Sequence, residues 1–217
     1  MQINPFFFLP NPLQCCFMKN ISLTLKENQE KVLPLVWAST SSAPKETNGP
    51  VEINVNAKLI GRGAKLNVVG AFILANNDEV KVAVNIDHIA PDTTSDTVIK
   101  SVLSDKAIGR FYGLVNIKNG AKNTNTFFRE DALLLSDTAK AEAIPSLEID
   151  ENEVKAGHAS TVGPVDEEQL FYLMSRGIDQ KEARKLIVQG YLSSVSERLP
   201  AKEKEKLSIF LEKEFRI

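Results

Sequence analysis

The chain has 217 residues, 43% hydrophobic and 25% charged, the proportions of a folded globular protein. Its formal net charge is −2, from 26 basic and 28 acidic side chains, so no global field draws it to nucleic acid or to an anionic membrane. Only two cysteines occur, adjacent at Cys15 and Cys16, which excludes a disulfide framework and a cysteine-built zinc site, and no run of about 18 uncharged apolar residues could span a membrane.

Residues 1–17 carry no charge and three prolines. Their apolar run, Phe6 to Leu9, is broken by Pro10 and Pro12. A secretory signal needs a basic start, a continuous apolar stretch and a small-residue cleavage site, and all three are missing. The segment reads as an unstructured or mis-assigned leader, with Met18 as the better start. Both cysteines lie in it, so the chain from Met18 onward contains none.

Residues 20–35 carry Ile21, Leu23, Leu25, Val32, Leu33 and Leu35, read as strands around a polar turn. Residues 38–50 are a loop by composition. Val51, Ile53, Val55, Ala57 and Leu59 then alternate with polar residues, as do Val80, Val82, Val84 and Ile86. A period of two over this length predicts strands with one buried face. Shorter apolar segments follow at 111–117, 126–128, 133–135, 141–144 and 147–149, separated by turns such as Gly61-Arg62-Gly63 and Asn76-Asn77-Asp78. Weak repeats run through this region. Leu103-Ser104-Asp105-Lys106-Ala107 returns as Leu135-Ser136-Asp137-Thr138-Ala139, and Gly63-Ala64-Lys65 returns as Gly120-Ala121-Lys122. Short strands with imperfect repeats predict a β-solenoid or a sandwich, and periodicity alone leaves both open.

After Gly163 the period changes. Asp166-Glu167-Glu168-Gln169 is a capping-box pattern, and Gly177 is a natural C-terminal stop for the helix it opens. Asp179-Gln180-Lys181-Glu182 repeats the signal ahead of Ala183, Leu186, Ile187, Tyr191 and Val195. Pro200 suits the start of a third helix, whose stripe is Leu207, Phe210, Leu211 and Phe215. The organisation predicted is a leader (1–17), a β core (18–163) and a three-helix tail (164–217).

Candidate chemistry is sparse. His88 ends a strand beside Asp87, but strand neighbours point to opposite faces, which argues against a direct acid–base pair. Its plainer role is a strand-end histidine bonded to a turn. His158 lies among small residues, from Gly157 to Gly163, which leaves its imidazole accessible to a metal or a partner. Its plainer role is packing at the junction of body and tail. Asp92, Asp96 and Asp105 lack the spacing of a calcium loop and read as turn caps. No nucleophile elbow and no Walker A occur.

Together these residues resemble one family. Asp87-His88-x-x-Pro91-x-Thr93-Thr94-Ser95 and Ser104-Asp105-Lys106-Ala107 are similar to the core of the SufB/SufD proteins of iron–sulfur cluster assembly. Leu133 to Ala139, Pro145 to Ile149 and Val154 to Gly163 continue the resemblance in order, and Asp166 to Ile178 is its strongest part. The resemblance covers about residues 80–195 and implies a right-handed parallel β-helix followed by a helical domain. It also implies a partner ATPase of the ABC type, SufC, docked on the C-terminal helices. Leu170, Phe171, Tyr172, Arg176, Ile187 and Tyr191 are its expected contacts. Pairing is implied through the β-helix cores, with a SufB-like paralogue or a second copy, and with a transient cluster near that interface. Asp87, His88, Ser104, Asp105, Gly163 and Gly177 are motif residues with an expected structural role.

SufB-like chains carry Glu-His-Glu where this one has Gly157-His158-Ala159, which favours SufD. Some SufD relatives have cysteine in place of Ala156. The usual N-terminal helical domain of SufD is not seen in this sequence. The expectation is a cytoplasmic, non-catalytic scaffold that binds no cofactor stably on its own, with His158 as its cluster-proximal residue. The alternative is a β-helix carbohydrate-active lyase or hydrolase using His88 or the acids. One Trp and three Tyr are few to line a sugar groove.

Overall fold

The computed structural model describes residues 6–8, 17–39 and 50–214. Its strands are β1 (Phe6–Phe8), β2 (Phe17–Leu25), β3 (Glu30–Ala38), β4 (Val51–Leu59), β5 (Lys65–Leu74), β6 (Glu79–His88), β7 (Thr94–Leu103), β8 (Ile108–Ile117), β9 (Asn125–Leu134), β10 (Lys140–Ile149) and β11 (Lys155–Pro164). Odd-numbered strands stack in chain order into one sheet, and even-numbered strands into another. Every pairing is parallel. Consecutive strands therefore alternate between the two sheets, and the chain coils as a β-solenoid through five turns, from β2–β3 to β10–β11. This parallel stacking sets aside the sandwich, whose sheets are antiparallel.

Period-two alternation builds the interior. Val55, Val84, Gly113 and Pro145 occupy one register column, and Val51, Val80, Gly109 and Ala141 another. Each turn presents its inward face to the next, so one apolar core runs along the axis and no turn closes alone. Fit is close along that axis. A side chain on Gly113 would place its Cβ 2.4 Å from the Phe128 ring, so a single hydrogen is all the space allows.

The turns stack as the strands do. Asn28, Asp92 and Asn123 at one corner have left-handed φ, and Asn76 and Asp105 do at another. Asp92 accepts from Arg62 Nε at 2.7 Å and from Asn123 Nδ2 at 2.9 Å. The backbone oxygen of Asp105 accepts from Ser136 Oγ at 2.7 Å, and Asp96 pairs with Arg198 at 2.5 Å. The three aspartates read as turn caps thus have separate structural partners. Strand β10 runs unbroken through Pro145, where two short segments were expected. It is the last strand of its sheet, so the missing proline N–H has no ladder to interrupt.

Within the expected leader, Phe6–Phe8 pairs with Leu35–Trp37 of β3 as strand β1. The rest of that segment, Cys15 and Cys16 included, lies outside the described residues, as does most of the expected 38–50 loop. The first full strand, β2, begins at Phe17.

Three helices follow: α1 (Glu167–Ser175), α2 (Gln180–Ser196) and α3 (Ala201–Glu214). Asp166 caps α1 by accepting from the N–H groups of Glu168 and Gln169. Asp179 caps α2 in the same way from Lys181 and Glu182. Gly177, at φ +87°, ends α1. Its N–H donates to Met174, and that of Ile178 donates to Leu173, the paired bonds of a Schellman motif. Pro200 stands one residue before α3 and gives its carbonyl to Glu203 and Lys204.

The tail was expected to face one end of the β body. It lies instead on the outer face of the odd-numbered sheet. Val188, Leu192 and Val195 of α2 and Leu207, Phe210 and Leu211 of α3 pack on Val36, Val69, Ala71, Ile73 and Val102. The physical reason is that β5 ends in a run buried on both faces, so its outward side needs apolar cover. Polar tethers fix the helix. Lys100 Nζ donates to Tyr191 O at 2.9 Å, and Arg184 donates to Leu135 O at 3.2 Å.

Candidate functional site

Because the tail lies along a face, the last turn of the solenoid forms an open mouth. Its inward residues are set by register. On β10 these are Ala141, Ala143, Pro145, Leu147 and Ile149, stacked over the buried Gly109, Phe111, Gly113, Val115 and Ile117. On β11 they are Ala156, His158, Ser160 and Val162, stacked over Thr126, Phe128, Glu130 and Ala132. All of them are exposed or half-buried, although the same columns one turn earlier are sealed.

His158 is therefore exposed at the mouth, with its parity turned toward the solenoid axis. Gly157 and Ala159 leave it without bulky neighbours on its own strand. The junction position expected for it is displaced to the rim, because the tail folds back along the sheet. Gly163 lies at the far end of β11.

Below the mouth, the interior contains polar groups that sequence reading did not find. Glu130 is 1% exposed, and its Oε1 has no hydrogen-bond partner among the described residues. Burial, helped by the charge of Asp131, pushes its pKa up to about 9, so the carboxyl keeps its proton at neutral pH. The signal available was a glutamate at an inward position of a period-two strand, Thr126-Phe127-Phe128-Arg129-Glu130, but its own acidity argues for the outside face.

His88 is fully buried, and it points away from Asp87, as strand geometry requires. Its Nδ1 lies 2.8 Å from Thr93 Oγ1 and its Nε2 lies 2.8 Å from Ser95 Oγ. Those hydroxyls continue into the next turn, Thr93 to Thr124 at 3.1 Å and Ser95 to Thr126 at 2.7 Å. Burial lowers the His88 pKa to about 4, so the ring is neutral. Ser104 and Asp105 sit in the turn after β7. Asp105 accepts from Asn76 N at 3.0 Å, and Ser104 Oγ donates to it at 3.1 Å.

The second candidate surface is on the tail. Phe171 is 74% exposed and Tyr172 is 57% exposed, with Met174 and Leu186 beside them. Leu170 and Ile187 are half-buried. Tyr172, Leu173 and Ile187 line a shallow groove with Asp166, Glu168 and Gln169. The Arg176 guanidinium lies 5.2 Å from the centre of the Tyr172 ring. Tyr191 does not join this surface. It was expected to be exposed, but it packs toward the sheet, with Lys100 Nζ 4.3 Å from its ring centre. Lys100, flanked by the Asp131 carboxylate in a half-buried seam, draws the aromatic face inward.

Residues 46–191 match the family model described as the SUF system FeS cluster assembly, SufBD core domain. The chain belongs to the SufBD family. It is 32% identical, over 176 residues, to an iron–sulfur cluster assembly SufBD family protein of Mycobacterium tuberculosis, covering 77% of this chain and 44% of that one. A Mycobacterium leprae member is 31% identical over 176 residues, 77% of this chain and 45% of its own. A second Mycobacterium tuberculosis member is 32% identical over 154 residues, 71% of this chain and 18% of the relative. The chain thus spans less than half the length of these relatives. The resemblance read from the motifs is upheld at family level, and a carbohydrate-active enzyme finds no support. No helix among the described residues is long and apolar enough to cross a membrane.

Proposed function

We propose that this SufBD chain is a non-catalytic, SufD-like scaffold subunit of a cytoplasmic iron–sulfur cluster assembly complex. It pairs through the open end of its β-solenoid and docks a SufC-like ABC ATPase on its helical tail. Family membership over residues 46–191 is the observation that carries the reading. Two surfaces support it. The mouth presents unpaired edges, β10 and β11, which favour addition of another chain, a SufB-like paralogue or a second copy. The α1 face exposes adjacent aromatic side chains beside a groove, the composition of a protein-binding hot spot. The iron–sulfur cluster is cargo in this scheme. Its thiolates come from the partner, and His158 stands at the rim where the two chains meet.

Co-purification tests the scheme. The chain should capture an ABC ATPase and a SufB-like protein, and capture of neither overturns it. Replacing Phe171 or Tyr172 with Ala should weaken ATPase binding by roughly 1–3 kcal/mol while the fold is retained. Unchanged affinity in both variants, measured by calorimetry, removes the dock from α1.

His158→Ala should leave folding and ATPase capture intact and lower cluster yield in the reconstituted complex. An exposed imidazole contributes little to packing, so the fold has little to lose. Normal cluster yield per folded complex removes His158 from the assembly site.

A further inference from the structure

His158 does not face the mouth alone. Its diagonal neighbour one strand down is Glu130, which is in register with Ser160 and points to the same interior. Adjacent strands lie about 4.8 Å apart and two residues along a strand span about 6.6 Å, so the two Cα atoms are about 8 Å apart. A glutamate and an imidazole rising from one face of a sheet can close that gap onto a single ion. Glu130 also breaks the logic of its column. Below it stand Ile99 and Gly70, both apolar, with Ile99 filling the space over the glycine. A nearly sealed carboxyl with a vacant oxygen is costly, and no packing need on the page explains one directly beneath an open end. Only Ser160, small and exposed, stands above it in register.

We propose that Glu130 and His158 form a divalent-cation site at the mouth of the solenoid, left incomplete for ligands from the chain that docks there. A carboxylate oxygen and a neutral imidazole nitrogen together suit borderline cations such as ferrous iron and cobalt. No group of three His, Cys, Asp or Glu among the described residues could hold a metal ion, which agrees with an incomplete site. The inference rests on the scaffold reading only where it takes iron as the natural occupant. The ligand pair itself belongs to this chain.

Cobalt(II) alone, titrated into the full chain, tests the pair by proton NMR. The chain has two histidines, one sealed and one exposed, so the His158 ring signals can be assigned. They should shift with cobalt along a saturable curve. Glu130→Gln, which keeps the shape and removes the charge, should weaken the apparent affinity by about tenfold or more. His158→Ala should lower cobalt retention in equilibrium dialysis by a similar factor, and the double variant should add little to either single change. A wild-type curve that does not saturate up to millimolar cobalt overturns the proposal. So does a Glu130→Gln curve that matches wild type while circular dichroism shows the fold intact. Failure of ATPase capture with cobalt binding preserved would sink the scaffold reading and leave this site standing. Loss of the cobalt result with ATPase capture preserved would do the opposite.

Discussion

Replacing Glu130 with glutamine is expected to stabilise the isolated chain above pH 6.5, by an amount that grows with pH. Folded Glu130 holds its proton until about pH 9, whereas the unfolded side chain releases it near its ordinary value of 4.5. Between those values the unfolded state binds fewer protons than the folded one. Stability therefore falls as pH rises, by about 1.4 kcal/mol per unit. His88 acts in the opposite sense. Its folded pKa is about 4 against an ordinary 6.5, so stability rises with pH across that interval. The two slopes cancel between pH 4.5 and 6.5, and above 6.5 the Glu130 slope acts without the His88 slope to oppose it. Glutamine stays neutral throughout. At pH 8 its advantage should be on the order of 4 kcal/mol, or roughly 10 °C in Tm for a chain of this size. Comparing the two proteins at each pH isolates Glu130 from every other titrating group. Parallel wild-type and variant melting curves from pH 6 to 9 would show that the carboxyl ionises freely and is not sealed.

That a charged residue type lies inside marks the limit of what patterning reveals. Strands β4 and β6 were legible because their inward residues are Val, Ile, Ala and Leu against polar outward ones. Strand β7 was not, because Ser95, Thr97 and Ser101 face inward while Val98 faces out toward the tail. Its hydropathy pattern is nearly inverted, and only the hydroxyl ladder and the helical cover explain it. Strand β5 was hidden for a different reason. Its C-terminal half is buried on both faces, so it reads as a continuous apolar run without a period. The repeats were better guides than the alternation. Leu103-Ser104-Asp105 and Leu135-Ser136-Asp137 prove to be stacked turns of neighbouring coils, joined by Leu135 N to Leu103 O at 2.8 Å. Helix caps were legible residue by residue, since Asp166, Asp179 and Gly177 act through local backbone groups alone. Where the tail lies could not be read from it. That depends on which outer face of the solenoid is apolar, a property of several strands at once. For the same reason His158 could be singled out in the sequence, but its companion Glu130, 28 residues earlier, could not.

Replacing His88 with Ala is expected to cost about 3–5 kcal/mol at pH 7, from the cavity left behind and the hydrogen bonds lost to Thr93 and Ser95. A neutral imidazole has one N–H and one lone pair, and two rotatable hydroxyls satisfy both whichever nitrogen carries the proton. The ring thus ties the end of β6 to the start of β7, and the hydroxyls pass the tie to β9 and the turn before it. A network of this kind fixes the register of stacked turns because a slip by one residue would leave every member unpaired. Acid should reveal the same residue by a second route. Between pH 6.5 and 4 the wild-type chain must keep a neutral ring that the unfolded chain would protonate, and it loses about 3 kcal/mol in doing so. The Ala variant has no such ring. The stability gap between the two proteins, measured by urea unfolding, should therefore narrow steadily as pH falls through that window. A gap that is constant with pH, or smaller than about 1 kcal/mol at neutrality, would mean that the histidine is dispensable to the solenoid. Cluster yield per folded complex should not change, which separates this interior histidine from His158 at the rim.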